Sequence, residues 1–170
     1  MNKKKDIRTW AKEVRHNINI KLASEKIVEK IKSLEIYKNA KNIMIFYPLE
    51  NEINLLNLLE DTNKNFYLPK TINDQMMACP YKKGDDLEKG DFNVLVPLTD
   101  EINPQILDLI FTPALVVDKN NYRLGYGKGF YDRFLEKTTA KTIAVIEKEL
   151  LIDRLPIDTH DKKVDFVITD

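Results

Sequence analysis

Short apolar runs, each too brief for a buried helix and most bounded by proline or polar residues, recur along this chain with helical or turn-rich stretches between them. NIMIFYPL (42–49) ends at Pro48 and reads as a buried strand. NFYLPK (65–70) reads as the next, stopped by Pro69, and MMACPY as a short strand near a turn. LDLIFTPALVVD (107–118), the most apolar run, reads as a central strand and its exit; TIAVI (142–146) and DFVIT (165–169) complete the set. Helical spacing fills the gaps. Ile7, Trp10, Ala11, Val14 and Ile18 recur at three- and four-residue steps, and Ile27, Ile31 and Leu34 continue after Ser24, a plausible cap. Residues 6–34 are thus one bent helix or two. Asn54–Asp61 has leucines at helical spacing, whereas KKGDDLEKGDFNV is polar and reads as a surface loop. Strands joined by helical connections predict an α/β fold: a three-layer, open, mainly parallel sheet with helices on both faces, Rossmann-like and in a single domain over residues 1–170.

A chain of 170 residues can bury a real core, and 43% hydrophobic with 32% charged residues is a globular balance. The formal net charge is zero, so no overall field draws the chain to nucleic acid or an anionic membrane, and neither is expected as a partner. The apolar runs are too short to span a bilayer, and the basic start MNKKKDIRTW has no apolar stretch behind it to make a secretory leader. Cys79 is the sole cysteine, which excludes an internal disulfide and fits a reducing, cytoplasmic setting; a bland, partly buried thiol is the expectation.

The segment RLGYGKGFYDRFL (123–135) carries the chemistry. Gly125, Gly127 and Gly129 alternate, Lys128 lies between the last two, Arg123 stands before them, and a helix is expected to start near Gly129. Glycines let main-chain N–H groups turn inward and let a ligand approach, and two cations beside a helix start complete a phosphate cradle. The spacing is neither the P-loop nor the dinucleotide fingerprint, and a tight surface turn is the competing reading.

The run PALVVDKNNYRLGYGKGFYDRFL resembles the signature of the 5-formyltetrahydrofolate cyclo-ligases, or methenyltetrahydrofolate synthetases: Pro113, Asp118, Arg123, Leu124, Gly125, Gly127, Gly129, Tyr131 and Asp132 match at fixed spacing. Weaker resemblance extends through Lys4 to Arg8, YPLENEINLL and LPIDTHDKKVDFVITD. The resemblance implies an ATP-dependent conversion of 5-formyltetrahydrofolate to 5,10-methenyltetrahydrofolate with Mg²⁺, ATP being a co-substrate, by a cytoplasmic monomer. It places Lys4, Arg8 and the loop Arg123, Leu124, Gly125, Tyr126, Gly127, Lys128, Gly129, Phe130 and Tyr131 on ATP, with Lys128 and Arg123 catalytic. It places Glu52, with Tyr126 to Phe130, on the folate, and Asp132 and Asp161 on the metal. From the residues alone, Lys4, Arg8, Lys12 and Arg15 would be a solvated basic stripe, Asp161 a turn residue and His160 a bystander. Two positions depart from the family pattern: Val96 stands where a glutamate is common, and a glutamine after residues 142–146 has no counterpart, Glu149 being nearest. A sugar-phosphate isomerase or CoA-transferase-like enzyme would need the phosphate loop but no ATP, and a binding module would need no turnover.

Overall fold

The computed structural model describes residues 3–170. The amino-terminal helical pattern resolves into two helices, α1 (Lys4–Arg15) and α2 (Ile20–Ser33). Asn19 caps α2 by accepting from the Leu22 amide at 3.1 Å. Ser24, the cap expected from sequence, lies inside the helix, where its hydroxyl donates to Ile20 O and accepts from the Asn54 amide. The short helix α3 (Glu35–Asn39) follows and leads to strand β1 (Asn42–Met44).

Strand β2 (Asn65–Ile72) runs straight through Pro69, where the sequence suggested a stop. The reason is positional. Only Asn65–Tyr67 pair with β1, so the missing Pro69 N–H falls where no strand lies on that side. A two-residue turn, Asn73 and Asp74 at φ 50° and 61°, returns the chain as β3 (Gln75–Tyr81), antiparallel to β2. The polar stretch read as a loop contains a hairpin, β4 (Leu87–Lys89) with β5 (Leu95–Pro97). The leucine-rich 54–61 segment makes a single 3₁₀ turn, Leu56–Glu60, rather than an α-helix.

The central run splits at Pro113 into β6 (Leu109–Thr112) and β7 (Val116–Asp118). β7 pairs with β8 (Arg123–Leu124), and helix α4 (Phe130–Leu135) precedes β9 (Lys141–Ile146), β10 (Leu151–Ile152) and β11 (Phe166–Thr169). The main sheet has order β11-β9-β6-β1-β2-β3, parallel except at β3, and β10-β7-β8 form a smaller second sheet. The expected open, mainly parallel α/β sheet is therefore present. One face packs on α2 and α3 through Ile27, Ile31 and Tyr37 against Ile43, Phe66 and Phe111. The other packs on α4 through Phe134 against Met44 and Ile110, and on α1 and the small sheet through Ile7, Ala11 and Val116. Among the described residues no helix is long and apolar enough to cross a membrane.

Asp118, 1% exposed, fixes the turn that returns β7 as β8. Its Oδ1 accepts from the Asn120 and Tyr122 amides and its Oδ2 from the Leu155 amide, all at 2.9–3.0 Å. Asp118→Ala should strand these donors and lower stability by about 3 kcal/mol. Urea denaturation checks this against Lys119→Ala, which breaks only an exposed pair with Asp153 and should leave the midpoint in place.

Candidate active site

The chain leaves β1 towards β2 on one side and returns as β6 on the other. The connections after β1 and β6 therefore part, opening a crevice beyond their carboxyl ends, where open α/β sheets take ligands. The glycine segment does not follow the central strand β6 directly. It leaves the β7–β8 hairpin and folds back so that Gly125 to Gly129 line the same cavity as Pro113, the residue just past β6.

That cavity, about 390 Å³, gathers nearly every residue singled out above: Lys4, Arg8, Arg123 to Tyr131, Asp132 and Asp161. Helix α1 lies along its rim. Arg8 Nε donates to Gly125 O at 2.8 Å, and a Cβ on Gly127 would sit 3.3 Å from the Arg8 guanidinium. Gly127 and Gly129 have φ of 99° and 69°, so the loop could not take this path with larger residues at both positions. Arg133, exposed on helix α4, braces the loop by donating to Lys128 O and Asp74 O. Helix α4 spans only Phe130–Leu135, so its dipole adds little to the cradle. The backbone and the cations do that work.

Arg123 is the clearest sign of an anion site. Its side chain is 5% exposed, its nearest carboxylate, Asp132, is 3.6 Å away, and its Nε has no partner. Burial pulls its pKa down against the opposing pull of Asp132. A buried guanidinium with an unused donor beside a cavity suits phosphate oxygens. Lys128 is exposed beside the Phe92 ring, 5.6 Å from its centroid, and Phe92 in turn packs on Phe130 with ring centroids 5.9 Å apart.

On the opposite wall, Lys4 Nζ donates to Asp158 at 2.6 Å and to Asp161 at 2.5 Å. Burial alone would raise the Asp161 carboxyl, but Lys4 and the Asp158 amide together hold it below its ordinary value. Asp158, His160 and Asp161 bring potential ligand atoms within 4.8 Å of one another. The compact acidic group thus pairs Asp161 with Asp158 rather than with Asp132, which accepts from the Lys162 amide nearby. Carboxylate oxygens that already collect an ammonium have the hardness and charge a divalent ion such as Mg²⁺ requires.

Glu52 is placed differently. It is absent from the loop cavity's lining and instead lines a second cavity, about 830 Å³, with Tyr47, Pro48 and Leu49. It is 7% exposed, and its Oε1 accepts from the Leu49 amide at 2.8 Å. Burial raises its pKa, the Leu49 amide and Arg15 lower it, and Glu147 raises it again. Its charge also adds to the upward shift that burial gives Tyr126 and Tyr131 of the loop cavity. Arg15, read from sequence as part of a solvated stripe, is 6% exposed and bonded to Glu147, which is fully buried. Periodicity assigned α1 a polar face without showing that its last turn lies over the sheet. Phe92 was also missed; a lone aromatic in GDFN was the available signal. Val96 is buried against Gly90 inside the hairpin, and Glu149 is exposed beside a third cavity, so neither supplies the carboxylate or amide of the family pattern.

The profile of the 5-formyltetrahydrofolate cyclo-ligase family matches residues 1–170. A 5-formyltetrahydrofolate cyclo-ligase of Mus musculus is 29% identical over 161 residues, covering 84% of this chain and 79% of that protein. The NMR structure of Aquifex aeolicus 5,10-methenyltetrahydrofolate synthetase superposes with a TM-score of 0.86 at 29% identity, covering 96% of this chain and 88% of the other. A 5,10-methenyltetrahydrofolate synthetase from Mycoplasma pneumoniae, 23% identical, shares the fold with a TM-score of 0.80 over 98% of both chains. Matched along its whole length in sequence and across nearly all of it in fold, the chain belongs to the 5-formyltetrahydrofolate cyclo-ligase family.

Proposed function

We propose that the protein closes 5-formyltetrahydrofolate to 5,10-methenyltetrahydrofolate at the expense of ATP, within one domain and as a cytoplasmic monomer. The observation that carries this reading is the convergence of a positive-φ glycine loop, the under-partnered Arg123, and Lys4, Arg8 and Lys128 on one cavity. Such a site has donors and charge for a polyphosphate and, among the described residues, no serine, threonine or cysteine in its lining. That is what phosphoryl transfer asks of a protein.

In this reading the loop from Arg123 to Tyr131, with Lys4 and Arg8, holds the triphosphate. The formyl oxygen of the folate attacks the γ-phosphorus, an O–P bond forms and ADP leaves. Lys128 and Arg123 neutralise the charge on the transferred group. N10 then attacks the activated formyl carbon, loses its proton, and inorganic phosphate departs with the former formyl oxygen. Asp161 and Asp132 are the residues to hold Mg²⁺, with Asp158 adjacent; bound there, the ion would neutralise phosphate oxygens. Glu52, from the adjoining cavity, accepts N–H groups of the pterin, and Tyr126 to Phe130 border both ligands. Phe92 and Phe130 offer aromatic faces at the entrance.

Mixing the protein with ATP, Mg²⁺ and 5-formyltetrahydrofolate should raise the near-ultraviolet absorbance of the methenyl product. Tight binding of both ligands with no such rise would make the protein a binding module, and ATP-independent turnover would point to another chemistry. Lys128→Ala or Asp132→Ala should lower kcat by about 100-fold or more with an unchanged far-ultraviolet spectrum. Full activity in either removes that residue from the site. Glu52→Gln should raise the folate KM roughly 10-fold while kcat changes less; an unchanged KM takes Glu52 out of the folate pocket.

A further inference from the structure

Arg15 and Glu147 meet where the carboxyl ends of β6 and β9 lie side by side. Arg15 Nε donates to Glu147 Oε1 at 2.7 Å, its Nη2 to Glu147 Oε2 at 3.0 Å and also to Ala114 O at 2.8 Å. Both side chains are at most 5% exposed. An ion pair so deep is seldom retained for stability, since apolar replacements of equal volume often serve as well or better. What it provides is a guanidinium fixed in orientation, and a lysine could not make the same fork to a carboxylate and a carbonyl. Two groups assigned above to the folate share its field. Burial raises the pKa of both Glu52 and half-exposed Tyr126, and the charge of Arg15 pulls each back down.

We propose that Arg15 and Glu147 are positioning residues for the folate half of the site, Arg15 keeping Glu52 and Tyr126 ready to receive the substrate and Glu147 both holding Arg15 and limiting its pull. This rests on the reading of Glu52 as a folate ligand. The Leu49 amide donates to Glu52, the charges that act on it are Arg15 from α1 and Glu147 after β9, and its own charge acts on Tyr126 of the glycine loop and Tyr131 of α4. Buried Glu52 gains its proton more readily than an ordinary glutamate. Folate binding should therefore weaken as pH falls through the Glu52 pKa, giving an acid limb in kcat/KM for folate.

The signs for two variants are opposite. Glu147→Gln removes a negative charge and leaves Arg15 less compensated, so Glu52 stays ionised to lower pH and the limb moves down. The paired change Arg15→Gln with Glu147→Gln removes both charges without leaving either one buried alone. Arg15 is the stronger influence of the two on Glu52, so here the limb moves up and folate KM rises several-fold. The readout is the direction of each displacement relative to the parent. A merely structural pair would lower the urea midpoint in both variants and leave both limbs on that of the parent. Ionisations of the folate itself are common to all three proteins and cancel. The experiment is a pH series of kcat and folate KM for the parent, both variants and Glu52→Gln. Limbs moving apart in the stated directions support the proposal. Limbs that coincide with the parent, or move together, overturn it while Glu52→Gln still raises KM. An unchanged KM in Glu52→Gln overturns the folate assignment and this proposal with it.

Discussion

The reversal of strand order between β1 and β6 is the constraint on which the other features rest. Parallel strands carry their connections at the same end, and at the one place where consecutive connections run in opposite directions the chain cannot cover its own sheet. Helix α1 and the glycine segment line the cavity beside the end of β6. Neither would stay there unaided: α1 packs Ile7 and Ala11 on the small sheet, and the loop is aimed by the Asp118 bend and braced by Arg133. The site is thus a consequence of topology, and its residues are drawn from segments that the sheet brings together rather than from any one motif.

Charge is arranged to match. A chain of zero formal net charge concentrates Lys4, Arg8, Arg123 and Lys128 around one cavity and offsets some of them locally. Lys4 rests on Asp158 and Asp161, and Arg123 lies near Asp132. These pairings let cations remain partly buried without a ligand while leaving donors, such as the Arg123 Nε, unused. An arriving anion would find the cations already gathered and would need only to exchange partners.

Much of this was legible in the sequence because it is local. The alternating glycines with Arg123 and Lys128 sit within a few residues, and the apolar runs announce β1, β2, β6, β9 and β11 wherever they occur. What escaped depends on distant partners. Pro69 reads as a strand end until the absence of a neighbour on its N–H side is known. The leucines of 54–61 fit a helix by spacing, yet the chain makes only a 3₁₀ turn there, Leu56–Glu60. Arg15 shows the limit most clearly: its place on α1 follows from periodicity, but its burial follows from Glu147, 132 residues away. Glu52 was singled out only through the family resemblance, and neither its burial nor the second cavity it lines could be inferred from the residues around it.

The contacts of α1 also bear on how the molecule is made. Lys4 bonds to Asp161, and Arg15 to Glu147, across 157 and 132 residues. On the ribosome the first helix emerges long before either acid is translated, with its cations and the apolar Ile7 and Ala11 unpartnered. Such long-range closure is slow to form by its nature. The nascent chain must therefore carry an undocked amphipathic helix through most of its synthesis, and the pocket can assemble only as the final strands arrive.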